Sequence, residues 1–155
     1  MTLPDSSSID GGMTTAIDQI QTTIIDEFSL FDDWEDRYRY LIELGRKLPP
    51  YPAQFRTNSH LVRGCQSQVW LHHRHENGRL YFDAASDAII VSGLIALLLR
   101  IFSGQEPAAI LAAEPRFVAA IGLGDHLSPT RSNGLHAMIA TIKAAAAQAP
   151  TGQAG

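Results

Sequence analysis

The sequence predicts one domain that combines α-helices with a single antiparallel β-hairpin. The chain has 155 residues, which suits one domain, and 45% of them are hydrophobic, which is enough to build a core. Asn77-Gly78 is the strongest turn signal, because both residues tolerate the positive φ of a tight hairpin. The other patterned segments have helical spacing, and residues 88–102 are apolar nearly all round.

The two helices before the hairpin are predicted from their apolar spacing and their ends. Isoleucines spaced along one face predict a helix over about residues 14–28. A second helix is predicted from Asp32 or Asp33 to Lys47, with Asp32 accepting hydrogen bonds from the first free amides. A proline pair at 49–50 then ends it.

The hairpin is predicted to follow an irregular segment, residues 51–64, with strand signals starting at Cys65. A two-residue turn at Asn77-Gly78 sets the register, so that Glu76 faces Arg79. Alternation along the strands then sorts the side chains onto two faces. The predicted core face holds Val69, Leu71, Leu80, Phe82 and Ala84.

The later elements are predicted to be helices that differ in length. Residues 88–102 should form the buried central helix, with Ser86 or Asp87 as its cap. Prolines open two short helices, at 107–112 and 115–121. Residues 128–134 are predicted to be a loop that leads into a last helix, 135–148.

Charge and composition divide the chain into three parts and exclude some functions. A disordered leader is expected over residues 1–13, a folded domain over 14–148 and a flexible tail over 149–155. Residues 1–36 contain nine acidic residues and no Lys or Arg, and no basic stripe follows, so a plain nucleic-acid binder is not expected. Because neither a signal peptide nor a membrane-spanning segment is recognised, a cytoplasmic protein is predicted.

Cys65 is the first candidate for chemistry. It is the only cysteine, so it has no partner for an internal disulfide or for a cysteine-built metal site. It follows Gly64 and lies near Arg63, which favours an accessible thiol that could be held as the thiolate. Two alternatives stay open: a small buried hydrophobic residue, or the nucleophile of a Cys–His hydrolase with His126 or His136 as the base.

The other polar candidates have ordinary structural interpretations. Asp87 is most simply a helix cap. Arg131 is either paired with a carboxylate or a cation presented to an anionic sulfur species. His72, His73 and His75 alternate across a strand, so only two could share an ion, and no metal site is predicted.

Four motifs lie in order along residues 20–147: YRYLIELG at 38–45, GCQSQVW at 64–70, SDA at 86–88 and RSNGL at 131–135. Together they resemble the SufE family of sulfur-acceptor proteins. The resemblance implies a single α+β domain in which a small antiparallel sheet packs against several helices. It identifies Cys65 with the cysteine that accepts sulfur, and it gives Asp87 and Arg131 supporting positions near that cysteine. His60 is a departure, because the family commonly has Asn there.

The resemblance also implies a function and its partners. A SufE-like protein takes persulfide sulfur from a PLP-dependent cysteine desulfurase, stimulates that enzyme and passes the sulfur to an iron–sulfur cluster scaffold. It is therefore an accessory protein rather than an enzyme, with no cofactor of its own, since the PLP is on the desulfurase. A homodimer is a further candidate assembly. We expect the loop that carries Cys65 to tuck against the helix at 88–102 and to swing out when a partner docks.

Overall fold

The computed structural model describes residues 15–149, and these form a single α+β domain. The predicted leader, 1–13, and all of the predicted tail except Ala149 lie outside the described residues. The described elements are α1 (Ala16–Phe28), α2 (Trp34–Arg46), β1 (Val69–Glu76), β2 (Arg79–Ser86), α3 (Ile89–Phe102), α4 (Pro107–Ala112), α5 (Phe117–Ile121), α6 (Leu123–His126) and α7 (Pro129–Gln148). The strands form a two-stranded antiparallel sheet, which confirms the predicted α+β fold class. Two short 3₁₀ helices, Ala53–Phe55 and Asn58–His60, interrupt the predicted irregular segment.

Helix α3 lies at the centre of the fold and packs against α1, α2, α7 and strand β2. Nine of its 14 residues are buried, which confirms the predicted central helix. Its closest neighbour is α2, because glycines meet where the two helices cross. A Cβ atom on Gly93 would lie 2.3 Å from the carbonyl oxygen of Leu41, and one on Gly45 would lie 2.7 Å from the amide nitrogen of Gly93. The two helix backbones are therefore in direct contact.

The hairpin has the predicted register. Glu76 pairs with Arg79, and the turn residues Asn77 and Gly78 have φ angles of 51° and 80°. All five residues predicted for the core face are buried. The first strand, however, begins at Val69 and not at Cys65. Cys65 instead lies in a loop, because the amide of Val62 donates to the carbonyl of Val69 at 2.8 Å and closes the intervening residues into a loop.

The first helix starts as predicted, whereas the start of the second differs in its capping residue. Thr15 caps α1 by accepting a hydrogen bond from the amide of Asp18. The cap of α2 is Asp33, whose Oδ1 accepts from the amide of Asp36 at 2.9 Å, so the prediction of Asp32 was wrong. A capping side chain accepts from the amide two or three residues further on, and Asp36 is three residues after Asp33.

Two predicted helix starts were wrong in ways that bear on the site. The cap of α3 is Ala88, so neither Ser86 nor Asp87 occupies that position. The predicted loop at 128–134 is helical, because α7 begins at Pro129. Ser128 caps α7 by accepting from an amide at 3.2 Å, and a proline suits the first helical position because its missing N–H would have no partner there.

One buried polar residue links α1 to the segment before α5. Gln21 is fully buried, and its side-chain amide donates to the carbonyl of Glu114 at 2.9 Å. Its side-chain oxygen accepts from the amide of Phe117 at 3.1 Å. Both ends of this side chain are therefore paired, as a buried amide requires. No helix among residues 15–149 is both long and apolar enough to cross a membrane.

Candidate functional site

The candidate site is built on the loop of residues 63–68, here called the Cys65 loop. Its two ends are held together by the bond between Val62 and Val69 and by an isolated bridge between Leu61 and Trp70. Because both flanks are paired, residues 63–68 form a short closed loop.

The C-terminal end of the Cys65 loop is clamped by the segment that joins β2 to α3. The hydroxyl of Ser86 donates to the carbonyl of Gln68 at 2.8 Å. The Oδ1 atom of Asp87 accepts from the amide of Gln68 at 3.2 Å. The structure thus corrects the prediction for Asp87. Its carboxylate does not cap α3 and instead holds the backbone three residues after Cys65.

The Cys65 thiol is half-buried and faces α7 and α3. Its S–H donates to the carbonyl oxygen of Gly134 at 3.6 Å. The thiol lies at a small cavity of about 20 Å³. The buried wall of this cavity consists of Val69, Val91, Leu94, Gly134 and Met138. The thiol therefore occupies the tucked position expected from the sequence, against the central helix.

Burial raises the pKa of the Cys65 thiol above its usual value. Removal from water disfavours the charged form of a thiol, and burial is the cause of this shift. The sequence-based idea that Cys65 is held as a thiolate near Arg63 is therefore wrong for this conformation. The tucked thiol is protonated at neutral pH, and an accessible thiolate requires the loop to move.

The raised pKa predicts a pH profile for alkylation by iodoacetamide. We expect the midpoint for the native protein to lie above the midpoint for the urea-unfolded chain, which carries the same single thiol. In the native state the thiol keeps its proton to higher pH than in the unfolded chain. Its contribution to the free energy of unfolding is therefore fully present below the pKa of the unfolded chain, and it is lost as the pH rises through the native pKa. Equal midpoints, or a lower native midpoint, would contradict the burial.

Arg131 lies in the first turn of α7, at the exposed rim of the same cavity. Its Nη1 donates to the hydroxyl of Tyr38 on α2 at 3.0 Å. Among residues 15–149 no ion pair includes Arg131. Of the two predictions for this residue, the one that paired it with a carboxylate is therefore wrong. A neutral hydroxyl leaves the positive charge of the guanidinium uncompensated beside the mouth of the cavity.

Neither histidine of the alternative Cys–His pair lines the Cys65 cavity. The ring of His126 stacks on Trp34 with 4.5 Å between centroids, and its Nδ1 lies 3.0 Å from the carbonyl oxygen of Gly122. His136 is exposed on α7, turned about 200° from Gly134 around the helix. The geometry therefore does not assemble a base next to the thiol.

Three of the remaining histidines lie along β1, and His60 lies in the second 3₁₀ helix, which contacts that strand. Nδ1 of His60 lies 3.0 Å from the hydroxyl of Thr57 and 3.3 Å from that of Ser59, so the His60 ring takes part in the hydrogen bonding of this turn. His72 lies 3.4 Å from Asp83 and stacks on Phe55. Within the described part of the chain, no group of three potential ligands could hold a metal ion.

The clamp predicts a measurable effect of Asp87→Ala. We expect iodoacetamide to alkylate Cys65 about fivefold faster in this variant, because losing one hydrogen bond worth about 1 kcal/mol makes loop opening easier. Asp87→Asn is the matched control, since it keeps an oxygen at Oδ1 that accepts from Gln68 and should react at nearly the wild-type rate. An unchanged rate in Asp87→Ala would show that the carboxylate does not hold the loop.

The fold and the site define a class: an α+β single-domain protein with one half-buried thiol on a loop clamped to the central part of the fold. Comparison with known proteins identifies the family. The SufE family model, described as an Fe–S metabolism associated domain, matches residues 22–146. The chain therefore belongs to the SufE family.

Two curated relatives and one solved structure extend the comparison. The chain is 47% identical over 138 residues to an uncharacterized SufE-like protein of Rhizobium meliloti, covering 85% of this chain and 95% of the relative. It is 48% identical over 126 residues to an uncharacterized SufE-like protein of Rhizobium etli, covering 77% and 84%. The solution structure of a hypothetical protein from Thermus thermophilus has a TM-score of 0.69 at 25% identity, covering 83% of this chain and 94% of the other.

Proposed function

We propose that this protein accepts sulfane sulfur on Cys65 from a PLP-dependent cysteine desulfurase, stimulates that enzyme and delivers the sulfur to an iron–sulfur cluster scaffold. The observation that carries the proposal is the position of the thiol. Cys65 is the only cysteine in the chain, it lies on a loop that Asp87 holds at its end, and its thiol borders an apolar cavity of about 20 Å³. Membership of a family associated with Fe–S metabolism supports the same role.

The transfer is a displacement at sulfur. The thiolate of Cys65 attacks the outer sulfur of the persulfide on the desulfurase cysteine, and a new S–S bond forms on Cys65. The S–S bond to the desulfurase cysteine breaks, and that cysteine leaves as a thiolate with the electron pair. Nothing is oxidised or reduced overall. A thiolate of the scaffold repeats the same step on the Cys65 persulfide and releases the Cys65 thiolate.

The loop must open before this step can occur. In the tucked position the thiol is protonated and its sulfur faces α3 and α7, so a partner persulfide cannot reach it. Opening moves the sulfur into water, which returns its pKa towards the usual range and allows the proton to leave to solvent. Docking of the desulfurase therefore supplies the thiolate by favouring the open loop.

The proposed role also implies which protein carries the cofactor and in which compartment this protein works. The chemistry that needs PLP stays on the desulfurase, and this protein acts as an accessory with no cofactor of its own. A cytoplasmic location goes with the role, since an unpaired thiol stays reduced there.

Intact mass spectrometry tests the proposal. After incubation with a cysteine desulfurase and cysteine, the protein should gain the mass of one sulfur atom, and dithiothreitol should remove it. Omitting the desulfurase should give no gain. Replacing both His126 and His136 with alanine should leave the gain unchanged, whereas a Cys–His enzyme would lose its function. A wild-type protein that never gains sulfur would refute the proposal.

A further inference from the structure

Gly134 forms the part of helix α7 that faces the Cys65 thiol. It is buried inside the helix, and a Cβ atom built on it would lie 3.6 Å from the Sγ atom of Cys65. Apart from its chain neighbours and the backbone of its own helix, the three atoms nearest to that position all belong to Cys65, the other two being its Cα and Cβ at 4.0 Å. The glycine therefore leaves a gap between the helix and the thiol, and a methyl group would fill that gap.

The size of the gap suits one additional atom. The cavity beside the thiol has a volume of about 20 Å³. On this scale a single water molecule needs about 10–15 Å³. A second sulfur bonded to Sγ would lie about 2.05 Å from it, within the same space, and a sulfur atom is only slightly larger than a water molecule. The adduct of a bulky thiol such as glutathione would not fit.

The chemistry of the walls also suits sulfur. The inner surface is formed by aliphatic side chains and by Met138, which offer polarizable contacts, and the carbonyl of Gly134 accepts a hydrogen bond from the thiol there. The polar side chains of Thr130 and Arg131 are exposed and lie at the rim of the cavity, and that of Ser67 is half-buried. A small apolar cavity of this kind has room for one additional sulfur atom and none for a larger thiol.

We propose, on the basis of the function proposed above, that Gly134 sets the capacity of this cavity at one sulfur atom. The Cys65 loop closes over a persulfide, which is then protected between partners. A larger thiol adduct on Cys65 holds the loop open. Sulfur acceptance and sulfur protection are separate properties, because acceptance takes place with the loop open on the desulfurase, where the residue at position 134 is not in contact with the thiol.

The test compares Gly134→Ala with Gly124→Ala. Gly124 is an exposed helical glycine with no atom within 4 Å of a built Cβ, so it controls for the substitution itself. Each protein is loaded by the desulfurase and cysteine, freed of small molecules and treated with dithiothreitol, and the mass gain of one sulfur is followed over time. Gly124→Ala should load as the wild type does, and the sulfur present on each protein at the start is the reference for its own decay. The persulfide of Gly134→Ala should decay about tenfold faster. The added methyl group makes only ordinary contact with the thiol, but it occupies space that the second sulfur needs, and this overpacking of the loaded site favours the open loop by about 1.4 kcal/mol.

A second variant fills the cavity from the opposite wall. Val91→Ile adds one methylene group on α3 and should also shorten the lifetime of the persulfide, which keeps the test valid if Gly134→Ala folds poorly. Equal decay in the wild type and both filling variants would overturn the inference while leaving the proposed function in place. A wild type that cannot be loaded at all would instead refute the proposed function.

Discussion

Cys65→Ser is expected to reduce the turnover of a cysteine desulfurase mixed with this protein to the rate of the desulfurase alone. Serine has the same shape as cysteine with a slightly smaller donor atom, and its hydroxyl should donate to Gly134 as the thiol does, so the loop should fold as before. A neutral hydroxyl is a far weaker nucleophile towards sulfur than a thiolate, and the chain has no second cysteine to replace it. The measurement is the rate of alanine production from cysteine with and without each protein.

A competition experiment separates lost chemistry from lost docking. Because Cys65→Ser keeps the docking surface, an excess of this variant should suppress the stimulation given by the wild-type protein. Suppression without stimulation is the result expected of a carrier that binds and cannot accept. Full stimulation by the serine variant would mean that the protein acts only through its surface and that Cys65 is not the acceptor.

Gly93→Ala is expected to lower the free energy of unfolding by about 3 kcal/mol, at the upper end of the cost of overpacking a core. The added Cβ would lie 2.3 Å from the carbonyl oxygen of Leu41, and a backbone atom cannot rotate away as a side chain can. Helices α2 and α3 would have to separate. The measurement is urea unfolding followed by circular dichroism.

The control for this variant is again Gly124→Ala, which adds a methyl group to open space. It should be neutral or stabilising, because alanine is preferred to glycine inside a helix by up to about 1 kcal/mol. An unfolding midpoint for Gly93→Ala equal to that of the wild type would show that α2 and α3 can separate freely, and that their backbone contact does not hold the central helix.

Sequence patterns predicted those features that depend on neighbouring residues. The turn at Asn77-Gly78 determined the register of the hairpin, because the residues that allow its geometry are adjacent in the chain. The apolar segment at 88–102 predicted the buried helix for the same reason. The start of α7 was missed even though its signals are local. Ser128 and Pro129 form a cap and a first helical position, whereas the whole segment 128–134 was predicted to be a loop.

The site itself depends on contacts between residues that are far apart in the chain. The resemblance indicated Cys65, Asp87 and Arg131, but it could not show that Asp87 holds Gln68, 19 residues before it. Gly134 approaches the thiol across 69 residues of sequence, and no local pattern reports such a contact. The same is true of Gly93, whose need to be glycine appears only when α2 crosses it.

The most direct test of the account is to locate the transferred sulfur on the chain. After incubation with a cysteine desulfurase and cysteine, the protein is trapped with iodoacetamide and digested with trypsin, which cleaves after Arg63 and Arg74 and releases the peptide 64–74 with the only cysteine. We predict that this peptide carries one additional sulfur atom between Cys65 and the alkyl group. A peptide that carries the alkyl group alone, while the desulfurase turns over faster in the presence of the protein, would contradict the account.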